Sequence, residues 1–100
     1  MRYELAFKIS ALKEWKKPGA TIREQFKKKL AERLDHPHVP SAALSGAVNL
    51  YKIKLRQSGY RLVYSVEDQV VTVTVIAVGK RDRNAVYDAA LSRLGDPKAP

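Results

Sequence analysis

The sequence predicts an α+β fold: a small antiparallel β-sheet with an N-terminal helical hairpin on one side and a C-terminal helix. Three observations carry this expectation. Residues 50 to 78 hold three runs rich in Val, Ile, Leu and Tyr, joined by connectors short enough to require antiparallel neighbours. Residues 11 to 34 show apolar side chains at helical spacing on both sides of Pro18-Gly19. Residues 81 to 94 return to the same spacing after the last strand.

The elements follow in order. Tyr3, Leu5 and Phe7 alternate with Arg2, Glu4 and Lys8, the period of a half-buried first strand. Ser10 is expected to cap a short helix, "ALKEWKK", stopped by Pro18-Gly19. Thr21 and Glu24 have capping-box spacing and are expected to open a second helix reaching about residue 34. Its apolar residues Ile22, Phe26, Leu30, Ala31 and Leu34 form one stripe. "DHPHVP" then breaks the helix and starts a loop to about residue 49.

Strands are predicted at about 50 to 56, 60 to 66 and 70 to 78. The third is apolar at both parities, as an interior strand should be. A helix over about 81 to 94 places Tyr87, Ala90, Leu91 and Leu94 on one stripe. The expected organisation is one domain over 1 to 94 with "GDPKAP", residues 95 to 100, as a flexible tail.

With 100 residues, 45% hydrophobic and 29% charged, the chain can build one modest core. Nineteen Lys+Arg against ten Asp+Glu give a formal charge of +9, which predicts attraction to polyanions. Cysteine is absent, excluding a disulfide framework and a thiolate metal site and fitting a reducing compartment. The longest apolar run is too short to span a bilayer, and the N-terminus lacks a signal-peptide apolar core. A cytoplasmic protein with no membrane partner is expected.

Strand parity locates the charge. Tyr51, Ile53 and Leu55 share a face, so Lys52, Lys54 and Arg56 take the other. If Tyr60, Leu62, Tyr64 and Val66 join the same core, Arg61 falls on the lysine side. Like charges opposed across a ladder destabilise it, so the crowding is either a solvated face, the plainer reading of any one lysine, or the seat of an anionic ligand, which the convergence favours. Lys80, Arg81 and Arg83 sit at the junction into the last helix, whose N-terminus adds positive partial charge. Tyr87, one turn beyond Arg83, offers a ring for base stacking or for packing on the sheet.

Weaker features have plainer readings. Trp15 is assigned to anchoring the first helix. Lys27, Lys28 and Lys29 read as a solvated helix face with a secondary role in binding RNA or ribosome, alongside Arg56, Lys80 and Arg83. His36 and His38 straddle a proline without a suitable donor set, so no metal site and no cofactor are predicted.

At these residues the chain resembles the RelE family of toxin–antitoxin systems, whose toxins are ribosome-dependent mRNA endonucleases. The resemblance spans residues 3 to 94 and rests on "ALKEWKK", "REQFKKKL", "YKIKLRQSGYRLVY" and "VGKRDR" followed by Val86-Tyr87. It implies a catalytic set of Lys52, Lys54, Arg61, Arg81 and Tyr87, each of the expected type. It also implies two partners. One is the 70S ribosome carrying mRNA; the other is a RelB-like antitoxin, in a complex expected to be a higher hetero-oligomer and contacting Leu91 and Leu94.

Metal-free RNA cleavage needs a 2′-OH activated, a phosphorane stabilised and a 5′-oxygen protonated. No histidine lies near the basic face, so lysines lowered in pKa by like charge must carry the protons. The assigned roles are Lys52 as base, Lys54 as general acid or proton donor, Arg61 as a phosphate clamp, Arg81 as a second clamp or alternative acid, and Tyr87 as a nucleotide platform. Two other classes compete: a ParE-like DNA gyrase inhibitor, which typically lacks this basic set, and a non-catalytic RNA- or ribosome-binding module.

Overall fold

Alternation of side chains along the central strands divides this molecule into two apolar layers with a sheet between them. The structure is a computed structural model describing residues 2–100. In chain order it contains β1 (Glu4–Phe7), α1 (Ile9–Trp15), α2 (Ala20–Asp35), β2 (Leu50–Lys54), β3 (Tyr60–Glu67), β4 (Thr72–Lys80) and α3 (Ala85–Ser92), with short 3-10 turns at Pro40–Ala42 and Asp68–Val70. No helix among the described residues is long and apolar enough to cross a membrane.

The sheet order is β1-β4-β3-β2. The β2–β3 and β3–β4 pairs are antiparallel, as the short connectors require. β1 departs from the expected all-antiparallel sheet: it lies parallel to β4, with Glu4 opposite Thr72 and Phe7 opposite Val75. The helical hairpin intervenes between β1 and β2 and leaves β1 to pair with the strand furthest from it in sequence. Connector length carries no information about so distant a partner.

One sheet face presents Tyr51, Ile53, Leu55, Leu62, Tyr64 and Val66 to Phe26, Leu30, Leu34 and Ala11 of the hairpin. The other presents Leu50, Val63, Ile76 and Ala77 to Val86 and Ala90 of α3. A bulge makes both layers fit. Val63 pairs with Ala77 but Tyr64 with Val75, so the alternation slips at Ile76. Val75 and Val78 therefore join the hairpin layer while Ile76 and Ala77 face α3.

Several local expectations change. Lys8, not Ser10, precedes α1, and Ser10 lies inside the helix with its buried Oγ unpartnered. Gly19 precedes α2, so the Thr21–Glu24 box does not form, and Glu24 instead pairs with Lys27 at 3.2 Å. β4 starts at Thr72 because residues 68–70 form a 3-10 turn and Val71 is left-handed (φ 49). Likewise α3 starts at Ala85: the Arg81 N–H donates to the Gly59 carbonyl at 2.7 Å, and Arg83 is left-handed (φ 53). Arg81 and Arg83 thus lie in the turn before the helix and not in its first turn.

The segment read as a tail runs beside β1. Ile9 N–H donates to Pro97 O at 3.2 Å and Ala99 N–H to Phe7 O at 2.8 Å. Lys8, buried against expectation, donates from Nζ to the carbonyls of Leu94 and Asp96.

Candidate active site

β2 and β3 set the site by register. Lys54 stands opposite Arg61 and Lys52 opposite Val63, on the sheet face away from the hairpin. Parity therefore located these residues correctly. The next strand contributes Gly79, paired with Arg61. A Cβ at Gly79 would come within 3.2 Å of Val86 Cγ2, so glycine here lets α3 settle closely on the sheet.

That close approach delivers Tyr87. Arg61 Nη1 donates to Tyr87 Oη at 3.0 Å, and the Lys52 ammonium lies 5.8 Å from the ring centroid, within cation–π range. Tyr87 also packs beside Val86 and Ala90. Tyr87 thus packs on the sheet and also lines a cleft, with Lys52 and Arg61 both near its ring.

Two separate clefts divide the residues of this cluster between them. One, of about 330 Å³, is lined by Lys54, Arg56, Tyr60, Arg61 and Arg81 among others. Arg81 is held there by its backbone bond to Gly59, which takes φ +77 at the β2–β3 turn. The second, of about 300 Å³, is lined by Lys52, Tyr87, Asn84, Asp88, Ser45 and Leu91 among others. Asn84, Asp88 and Ser45 had no periodicity or charge pattern to mark them in the sequence.

Among the described residues no carboxylate forms an ion pair with the cations of the cluster, although Asp88 lines the Lys52 cleft and Glu32 a cleft shared by Lys54 and Arg56. Among the described residues the ion pairs join Arg2 to Asp35, Lys27 to Glu24, His38 to Asp68, Arg93 to Glu14 and Lys98 to Glu67. None involves Lys52, Lys54, Arg56, Arg61, Lys80, Arg81 or Arg83. Lys52 is the main reason the Lys54 amine sits below the usual lysine pKa; partial desolvation and then Arg61, Arg56 and Arg81 add to the effect. No three His, Asp or Glu side chains among the described residues gather to hold a metal ion.

Other predicted positions spread outward. Lys28 and Lys29 line a third cleft, of about 480 Å³, with Lys54 and Arg56, so the basic surface runs from α2 to the β2–β3 turn. Lys27 is engaged by Glu24 instead. Lys80 lies 5.6 Å from the Tyr60 ring centroid, and Arg83 is exposed in its turn. Leu91 and Leu94 are 47% and 52% exposed, while Ala90 alone of their stripe is fully buried.

Sequence reasoning also passed over Arg33. Its Nη1 donates to the Lys52 carbonyl at 3.3 Å and to Tyr64 Oη at 2.9 Å, tying α2 to the strand that presents both lysines. It reads as one more cation on the polar side of α2.

Comparison with known proteins gives the family of the chain. A family profile described as the ParE toxin of the type II toxin–antitoxin system, parDE, matches residues 5–85. The mRNA interferase toxin RelE of Escherichia coli is 55% identical over 94 residues, covering 94% of this chain and 99% of that protein. A solved structure of an E. coli RelE toxin with two Arg→Ala substitutions, in the free state, superposes with a TM-score of 0.87 at 53% identity, over 94% of this chain and 99% of that one. The toxin chain matched in the crystal structure of the intact E. coli RelBE toxin–antitoxin complex gives a TM-score of 0.78 at 57% identity, over 81% of this chain and 99% of that one. The chain belongs to the ParE toxin family of type II toxin–antitoxin systems and, within it, to the RelE toxins.

Proposed function

We propose that this chain is a ribosome-dependent endoribonuclease that cleaves mRNA in the ribosomal A site, inhibits translation, and is silenced by a RelB-like antitoxin. The observation that carries the reading is the gathering of Lys52, Lys54 and Arg61, none of them in an ion pair, beside Tyr87. Similarity to a protein named an mRNA interferase supports it, as does similarity to the toxin of a RelBE complex. The profile's ParE description leaves gyrase inhibition as the competing activity, and a gyrase inhibitor has no use for convergent lysines. Action on translating ribosomes requires the cytoplasm.

In this mechanism Lys52 takes the 2′-OH proton and the alkoxide attacks the adjacent phosphate. Arg61 and Arg81 hold the phosphorane oxygens. Lys54 protonates the departing 5′-oxygen; its lowered pKa makes it a stronger acid than an ordinary lysine. Tyr87 stacks on a base, and Arg56, Lys80, Arg83, Lys28 and Lys29 meet RNA backbone, with Lys27 a weaker contributor because Glu24 holds it. No step calls on a metal.

The open clefts grip little of a flexible RNA, so the ribosome supplies substrate geometry, which can be worth about 7 to 11 kcal/mol of barrier. Leu91 and Leu94, exposed at the end of α3, are antitoxin contacts in a hetero-oligomeric complex. The test adds antitoxin-free protein to ribosomes programmed with a defined mRNA, and to the same mRNA alone, and maps ends by primer extension. Cleavage in the A-site codon only with ribosomes is the expected result; no cleavage by folded protein in either tube would reject it.

A further inference from the structure

The cleft between the β2–β3 turn and Arg81 has a property that RNA cleavage does not use. Lys54 Nζ is a primary amine on an exposed side chain, in a recess lined also by Arg56, Arg61 and Arg81. Among the described residues, no carboxylate forms an ion pair with any of the four. Guanidinium groups bind phosphate through paired N–H donors, so the recess favours small phosphate-bearing molecules as well as polymers. A phosphate seated on Arg61 and Arg81 brings whatever it carries towards the amine.

We propose that this cleft is also an acyl-acceptor site: a small acyl phosphate docks its phosphate on Arg61 and Arg81 and transfers its acyl group to Lys54. The unprotonated Nζ attacks the carbonyl carbon, forming a C–N bond. The C–O bond to phosphate then breaks and its electron pair leaves on phosphate. The nitrogen loses its extra proton to water or to the departing phosphate, and nothing is oxidised or reduced. Positive neighbours, Lys52 foremost, enlarge the unprotonated fraction that begins the reaction.

No other lysine lines this recess, and Lys28 and Lys29 share a cleft with Arg56 but not with Arg61 or Arg81. Lys27 and Lys98 are held by Glu24 and Glu67, and Lys8 is buried against the carbonyls of Leu94 and Asp96. Lys52 faces the Tyr87 ring in the neighbouring cleft. The resulting amide at Lys54 is neutral and cannot donate a proton to a leaving oxygen. Modification would therefore switch off cleavage, a consequence that rests on the proposed function, whereas the modification itself does not.

Wild-type protein treated with acetyl phosphate, and separately with the uncharged N-hydroxysuccinimidyl ester of acetic acid, is digested and acetylation is timed lysine by lysine by mass spectrometry. With acetyl phosphate, Lys54 is expected to react about tenfold faster than Lys16 or Lys17, which line none of the clefts described above. That margin should shrink with the uncharged ester, and inorganic phosphate should slow Lys54 selectively. Equal rates at Lys54, Lys16 and Lys17 would overturn the proposal, as would a margin indifferent to both reagent charge and added phosphate. Selective acetylation of protein that fails to cut mRNA on ribosomes would sink the nuclease reading and leave this one standing.

Discussion

Glu14 of α1 and Arg93 at the C-terminal end of α3 form a two-pronged ion pair, with Nη1–Oε1 at 2.7 Å and Nη2–Oε2 at 3.1 Å, and it straps the end of the last helix to the far side of the sheet. Glu14 Oε1 also accepts the Val78 N–H, and Arg93 donates to the Ile76 carbonyl. Both side chains are about three-quarters buried. Removing one partner strands the other in a poorly solvated place.

Glu14→Ala is therefore expected to cost about 2 to 3 kcal/mol in denaturant unfolding. Because α3 carries Tyr87, hydrogen exchange should quicken along α3 more than along β3. Cleavage should fall even though no proposed catalytic side chain has changed. Equal quickening in both elements would refute the strap.

Gly79→Ala addresses the same helix from beneath. The added Cβ would sit 3.2 Å from Val86 Cγ2, and Val86 is buried and branched, with little room to yield. A stability loss of about 1 kcal/mol is expected from this crowding, with displacement of Tyr87 from Arg61. Tyrosine fluorescence and the melting temperature check the two parts separately.

Legibility in the sequence depended on whether a face was shared. β2 is an edge strand with Tyr51, Ile53 and Leu55 buried on one side, so parity alone sent Lys52 and Lys54 to the other. β4 is apolar on both faces, and its bulge at Ile76 inverts the alternation midway, leaving no pattern to read. The parallel seat of β1 was hidden for another reason. It depends on the edge of β4 not taken by β3, a partner distant in the chain, with Glu4 opposite Thr72. The Ser10 and Thr21 caps failed because backbone geometry at Lys8 and Gly19 already turned the chain into each helix. Lys8, Arg33 and Arg93 carry no motif or periodicity that marks them; carbonyls and a carboxylate distant in sequence draw them inward.

Lys54 should reveal its crowding through stability. Its folded pKa lies below the unfolded value, so folding is penalised while the amine is charged. The penalty is complete below the folded pKa and disappears as pH rises towards the ordinary lysine value. Lys54→Met is thus expected to melt higher than wild type at pH 7 in low salt. The difference should narrow at high ionic strength and at strongly alkaline pH, while cleavage drops by roughly 10²- to 10⁴-fold. A melting difference independent of salt and pH would remove the electrostatic explanation.

Asp68 offers a contrast far from the basic clefts. Its Oδ1 accepts from Tyr3 Oη at 2.6 Å and lies 2.8 Å from His38 Nε2, while His38 Nδ1 meets Tyr51 Oη at 2.9 Å. The Tyr3 hydrogen bond, and then His38, hold this carboxyl below the usual aspartate pKa. A depressed folded pKa contributes stability above the unfolded value and loses it as pH falls through the folded one. Asp68→Asn should therefore melt lower than wild type at pH 7, and the difference should shrink as pH falls below the usual aspartate range. Cleavage per folded molecule should be unchanged, because neither Asp68 nor its partners line the clefts holding Lys52 and Lys54. A fall in cleavage at constant fold would instead couple this corner of the sheet to the active site, with the Tyr51–Tyr64 stack at 5.6 Å and the bond from Arg33 to the Lys52 carbonyl as the route to examine.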